Sequence, residues 1–143
     1  MKHFIAAVIF LAAAFGSQAK VKLPSILDDG MVIQRERPIE IWGRADASES
    51  FTISWQGAAH HITAGDDGRW QITLPPCPAG GPYTMVIGDI VLQDILIGDV
   101  FLCTGQSNME LPIRRVTDMF AKEVAAYEND QIRQYIVPDT YNF

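Results

Sequence analysis

The chain has 143 residues, with 17 acidic residues against 11 Lys and Arg and a formal net charge of -6. An acidic chain of this kind is a poor ligand for nucleic acid or an anionic membrane surface, though it is compatible with neutral sugars. The length allows one domain of ordinary size, or a small domain followed by the beginning of another.

Met1-Lys2-His3 is followed by an unbroken run of Phe, Ile, Ala, Val and Leu from Phe4 to Phe15, and then by Gly16-Ser17-Gln18-Ala19. A basic start, a short apolar core and small residues at Ser17 and Ala19 form the layout of a secretory signal. The apolar run falls short of the roughly 20 residues that a membrane-spanning helix needs. Cleavage after Ala19 is expected, with export to the periplasm or the medium and no membrane attachment afterwards. The cut removes Lys2 and no acidic residue, moving the formal charge from -6 to -7.

Residues 20–97 read as a β domain. Val32-Ile33, Ile39–Trp42, Phe51–Trp55, Trp70–Leu74 and Tyr83–Ile87 are short runs rich in β-branched and aromatic residues. Several of them alternate apolar with polar, as a sheet with one dry face requires. Turn signals separate the runs at Asp29-Gly30, Arg37-Pro38, Gly57, Asp67-Gly68, Gly80-Gly81-Pro82 and Gly88-Asp89. Short strands at this spacing, with no helical period between them, predict a β-sandwich.

Some residues in this region invite other readings. His60-His61 suggests a metal site, but neighbours in a strand point to opposite faces and cannot easily share one ion. Asp66-Asp67-Gly68 lacks the longer ligand series of a calcium loop and reads as a hairpin turn. Trp42, Trp55 and Trp70 could form a sugar platform; each lies in or beside an apolar run, which favours the core. Cys77 and Cys103 could pair in an exported protein, but Cys103 reads as a small buried hydrophobe and the two fall in different domains. Neither metal nor cofactor is implied.

Residues 98–143 read as the opening of an α/β domain. Val100 to Cys103 is apolar without alternation, the pattern of a strand buried on both faces. Thr104-Gly105 ends the run, and Gly105 permits a sharp turn. Ser107 then sits at the carboxyl end of the strand, where open α/β sheets place ligands. A hydroxyl beside a free backbone N–H is half of an acyl-transfer site. Equally, Ser and Asn are ordinary helix caps, and the turn could be punctuation. Pro112 keeps any helix that starts at Ser107 short. A longer helix is expected from Thr117-Asp118, with Phe120, Val124 and Tyr127 on one face, and a further strand over 132–137. Strand, turn, helix, strand is the start of an α/β fold.

The block from Gly98 to Met109, with Gly105-Gln106-Ser107-Asn108 at its centre, resembles the nucleophile block of the sialate O-acetylesterase family, a carbohydrate-esterase branch of the SGNH hydrolases. Asp29–Arg35, Ile41-Trp42-Gly43, Asp67–Trp70 and Ala79–Tyr83 resemble, in order and spacing, the β-sandwich that precedes the catalytic domain in that family. The resemblance implies a β-sandwich at 20–97, followed from residue 98 by the start of a flavodoxin-like, three-layer SGNH domain. It implies that Ser107 is the nucleophile and an oxyanion donor, flanked by Gly105, Gln106 and Asn108. The implied substrate is an O-acetylated carbohydrate, such as sialic acid or an acetylated plant or host glycan. The family's base is a His late in the catalytic domain with an Asp just before it, whereas His3, His60 and His61 all precede Ser107. By that resemblance the chain is the amino-terminal part of a longer esterase and would be inactive by itself. The alternative is a non-catalytic sugar-binding or structural β module in which Ser107 is only a cap.

Overall fold

The computed structural model describes residues 20–109 and 111–138; the expected signal at 1–19 lies outside them. Among these residues, seven strands form two sheets. Strands β1 (Val32–Gln34), β7 (Ile90–Gly98), β6 (Gly80–Ile87), β3 (Ser50–Trp55) and β4 (Ala58–Thr63) make one sheet, in that order. Strands β2 (Ile39–Arg44) and β5 (Arg69–Leu74) make the other. All pairs are antiparallel except β1 with β7, which runs parallel.

Both sheets bury their apolar sides in one core. Ile39, Ile41, Trp70 and Leu74 come from the two-stranded sheet, and Phe51, Ile53, Met85, Ile87 and Ile95 from the larger one. The alternation of β2 and β5 produces this directly, since every second residue is buried and its neighbours face solvent. Phe51 meets Trp70 edge-on across the sheets at 5.1 Å between ring centroids, and Trp55 meets Tyr83 at 5.7 Å. Trp55 and Trp70 lie in the core as expected, each with a buried indole N–H that has no partner among the described residues. Trp42 does not; it is 43% exposed, because Ile41 and Gly43 take the inward positions beside it.

Gln56-Gly57 joins β3 to β4 with φ of 46° and 82°, a two-residue turn whose positive angles match the strand twist. Gly88, at φ 57°, opens the equally tight turn from β6 to β7. The Asp67-Gly68 turn forms, but as a crossing between sheets rather than a hairpin, since β4 and β5 belong to different sheets.

Two strands lie outside the runs read from the sequence. Strand β4 has an edge position and an Ala-Ala-His-His start, so it carries little apolar signal. Strand β7 is apolar but out of phase: Leu92, Ile95 and Ile97 are all buried although 92 and 95 differ in parity. A bulge reconciles them. Met85 pairs with Leu92 and Tyr83 with Ile95, so Gln93 and Asp94 together oppose the single Thr84, one extra residue on β7, with Asp94 at φ 56°.

Beyond Gly98 the expected α/β elements are corrected. Val100–Cys103 forms no strand, and Phe101 and Leu102 are 81% and 84% exposed. A strand is held by its ladder, and no other described segment offers one here. Residues 132–137 are irregular for the same reason. Cys103 is exposed rather than buried, and it and Cys77 are both free thiols. The helix α1 spans Ala121–Ala126 only, starting after rather than at Thr117, with Val124 partly buried and Phe120 and Tyr127 exposed.

This segment is nonetheless tied to the β unit. Gln34 Oε1 accepts from the Val100 N–H at 2.8 Å, and Arg35 Nε pairs with Asp99 at 2.9 Å. Farther along, the Arg133 guanidinium grips the β7 bulge. Its Nη2 reaches both Asp94 carboxylate oxygens at 2.9 Å, and its Nη1 donates to the carbonyls of Gly30, at 2.8 Å, and Asp94. Tyr135 and Ser25 share a hydroxyl hydrogen bond of 2.7 Å.

Candidate functional site

Ser107 opens a single 3-10 turn, Ser107–Met109, on the exposed segment that leaves β7. The turn closes through the Met109 N–H donating to the Gln106 carbonyl at 2.8 Å. Met109 folds back over Gly105, where a Cβ would lie 2.6 Å from Met109 Cγ. Gly105 therefore gives room for a tight return of the chain. At the start of the turn the Ser107 N–H has no backbone acceptor among the described residues, as the first residues of any helical turn must. Gln106, Ser107 and Asn108 are all exposed.

The structure thus brings Gly105, Gln106, Ser107 and Asn108 together as one small turn, in which the Ser107 hydroxyl and N–H have no partner among the described residues. Among the described residues it brings no base to them. His60 and His61 lie on β4; His61 Nδ1 is 3.2 Å from Thr52 Oγ1, and His60 is half-buried. Neither hydrogen bonds to Ser107 among the described residues. No cluster of three or more His, Cys, Asp or Glu that could hold a metal occurs among the described residues. Cys77 is buried, its Sγ directed at Gln56 Oε1 and the Pro75 carbonyl.

Sequence reasoning missed the anchors of this block. Gln34 and Arg35 grip Val100 and Asp99 because parallel pairing of β1 with β7 brings the two chain exits side by side. A parallel register between positions 64 apart, Val32 with Leu96, leaves no local signal.

No family model matches the chain. Among curated proteins it is similar to the sialate O-acetylesterase of Rattus norvegicus, 28% identical over 142 residues, covering 87% of this chain and 26% of that protein. The sialate O-acetylesterases of Mus musculus and Homo sapiens are 27% and 25% identical over 128 residues, each covering 78% of this chain and 24% of the relative. Among solved structures, a carbohydrate acetylesterase from Xanthomonas citri superposes with a TM-score of 0.78 and 36% identity, over 85% of this chain and 29% of its own. The chain spans about a quarter of the length of the curated relatives it matches. Over that shared stretch it is similar to the sialate O-acetylesterases and to a carbohydrate acetylesterase.

Proposed function

We propose that this chain is the β-sandwich and nucleophile-bearing part of an exported carbohydrate O-acetylesterase. The observation that carries the reading is the Gly105–Asn108 turn, which presents the Ser107 hydroxyl and N–H together to solvent directly after the β unit. The names of the relatives over the same stretch support it. Ser107 Oγ attacks the acetyl carbonyl of an O-acetylated sugar, of which sialic acid is one form, and its proton passes to a base. The Ser107 N–H is one donor to the oxyanion that develops, and Gln106 and Asn108 border the site. Water then releases acetate and restores Ser107. The base and further oxyanion donors come from sequence outside this chain, within an SGNH-type α/β domain that residues 98–143 begin. Residues 1–19 direct export to the periplasm or the medium.

The test is Ser107→Ala in the protein that carries this chain. Acetate release from an O-acetylated sugar is expected to fall by roughly 1,000-fold or more, the scale of losing a serine nucleophile. Retained hydrolysis rules out Ser107.

A second reading, a β module that binds sugar without reacting, is favoured by one observation: Trp42 is half-exposed on the outer face of β2. The two readings are compatible, because the tryptophan and the serine lie on different elements.

A further inference from the structure

The hold on the segment that leads to Ser107 is concentrated in two residues. Strand β1 is three residues long and ends at Gln34, which pairs with Gly98 in parallel register. Glu36, at φ 57°, then turns that chain away from the sheet, and its N–H donates to the carbonyl of the buried Cys77 at 2.9 Å. Strand pairing with the segment after β7 stops there, and Gln34 and Arg35 take over. The Arg35 N–H donates to the Gly98 carbonyl at 2.8 Å, Arg35 Nε donates to Asp99 Oδ1 at 2.9 Å, and Gln34 Oε1 accepts from the Val100 N–H at 2.8 Å. Gln34 Nε2 donates to the Arg35 carbonyl at 3.3 Å, which fixes the other end of the amide. Three successive residues, Gly98, Asp99 and Val100, are thus held by two. Among the described residues, no hydrogen bond ties residues 101–107 back to the β unit, so this clamp is the last hold before the serine.

We propose that Gln34 and Arg35 are positioning residues for the nucleophile, setting the direction and register in which the chain leaves β7 toward Ser107. The inference rests on the esterase reading and gives the β unit a task inside the reaction. Gln34 occupies the place that a further strand residue would take, since its amide oxygen satisfies a backbone N–H that the end of β1 leaves without a ladder partner. An N–H has one hydrogen and one preferred direction, so the bond fixes Val100 narrowly. Arg35 and Asp99 are both partly exposed, so their ion pair adds little to stability. Geometry weighs differently, because a shift of about 1 Å in a reacting group costs about 100-fold in rate. A clamp that matters little to folding therefore matters greatly to the chemical step. Releasing Val100 leaves the serine hydroxyl misaimed at the acetyl carbonyl without altering the groups that bind the substrate.

The experiment measures kcat and KM in the protein that carries this chain, on an O-acetylated sugar and on 4-nitrophenyl acetate, a small ester with no sugar to bind. Gln34→Leu removes the acceptor, and Gln34→Glu keeps an acceptor oxygen in the same place. Gln34→Leu is expected to lower kcat about 10- to 100-fold on both esters with KM within about twofold, and Gln34→Glu to stay within about threefold of the parent. Arg35→Ala and Asp99→Ala should each lower kcat about two- to fivefold, and the double variant no further, because both cut the same bond. These two side chains are partly exposed, and they decide the matter if Gln34→Leu does not fold. Gly43→Ala, in the other sheet, is the stability control and should keep the parent kcat below its melting temperature. Unchanged kcat in Gln34→Leu, a change in KM alone, a loss on the sugar ester only, a Gln34→Glu variant as slow as Gln34→Leu, or an equal kcat loss in Gly43→Ala overturns the proposal. The Ser107→Ala variant separates this claim from the one beneath it. Hydrolysis retained there refutes the nucleophile and the positioning role together, whereas hydrolysis abolished there with Gln34→Leu fully active refutes the positioning role alone.

Discussion

Arg133 is the residue that does most to hold the segment after Gly98 against the β unit. Its guanidinium joins the Asp94 carboxylate and two backbone carbonyls, one on each side of the β1–β7 end of the sheet. Arg133→Ala is expected to cost about 1–2 kcal/mol, since charged hydrogen bonds contribute more than neutral ones but solvent screens the half-exposed Asp94. The loss is measured by chemical denaturation, and Arg133→Lys should restore only part of it because an ammonium cannot fork across both carboxylate oxygens. Gly43 is the opposite case, fixed by space rather than charge. A Cβ there would press on the Lys22 carbonyl at 2.5 Å as well as on Trp70, and backbone cannot yield as a side chain does. Gly43→Ala should therefore lower stability by about 1–3 kcal/mol, visible as a reduced Tm. Gly105 differs again: its Cβ would meet only the flexible Met109 side chain, and the β unit should be indifferent to that change.

At the scale of elements, legibility followed the alternation of side chains. Strands β2, β3 and β5 were readable because Ile39, Ile41, Phe51, Ile53, Trp70 and Leu74 recur at every second position and meet in one core. Strand β7 was not, because the bulge at Gln93-Asp94 changes which parity is buried halfway along. Strand β4 was not, because an edge strand half open to solvent can be written in Ala and His. Val100–Cys103 failed in the other direction. Its apolar run is genuine, but a run becomes a strand only with a neighbour to pair with, which is a property of the rest of the fold. The turn at Ser107 was the part of the candidate site that local sequence could specify: Gly105 for the return, Ser107 to start a helical turn, Pro112 to keep it short. Its anchoring by Gln34 and Arg35 was not legible, since it depends on a parallel register with β7. Trp42 was misplaced although the parity was there to read: Ile39 and Ile41 face the core, which sets Trp42 outward on the same face as Glu40.

At the scale of the whole molecule, the exposed apolar stretch after Gly98 stands out: Phe101, Leu102, Ile113, Met119 and Ile136 are each at least 66% exposed. In the esterase account the β unit is the scaffold, and the segment that leaves it carries Ser107 toward the rest of an active site. The central claim of that account is that Ser107 is a nucleophile rather than a cap. The most direct measurement is to treat the protein that carries this chain with a fluorophosphonate, which reacts with activated serine hydroxyls, and to map the adduct by peptide mass spectrometry. The account predicts a single adduct on the peptide containing Ser107, formed in step with loss of acetylesterase activity. Inactivation with the adduct on any other residue, or full modification of Ser107 with activity retained, contradicts it.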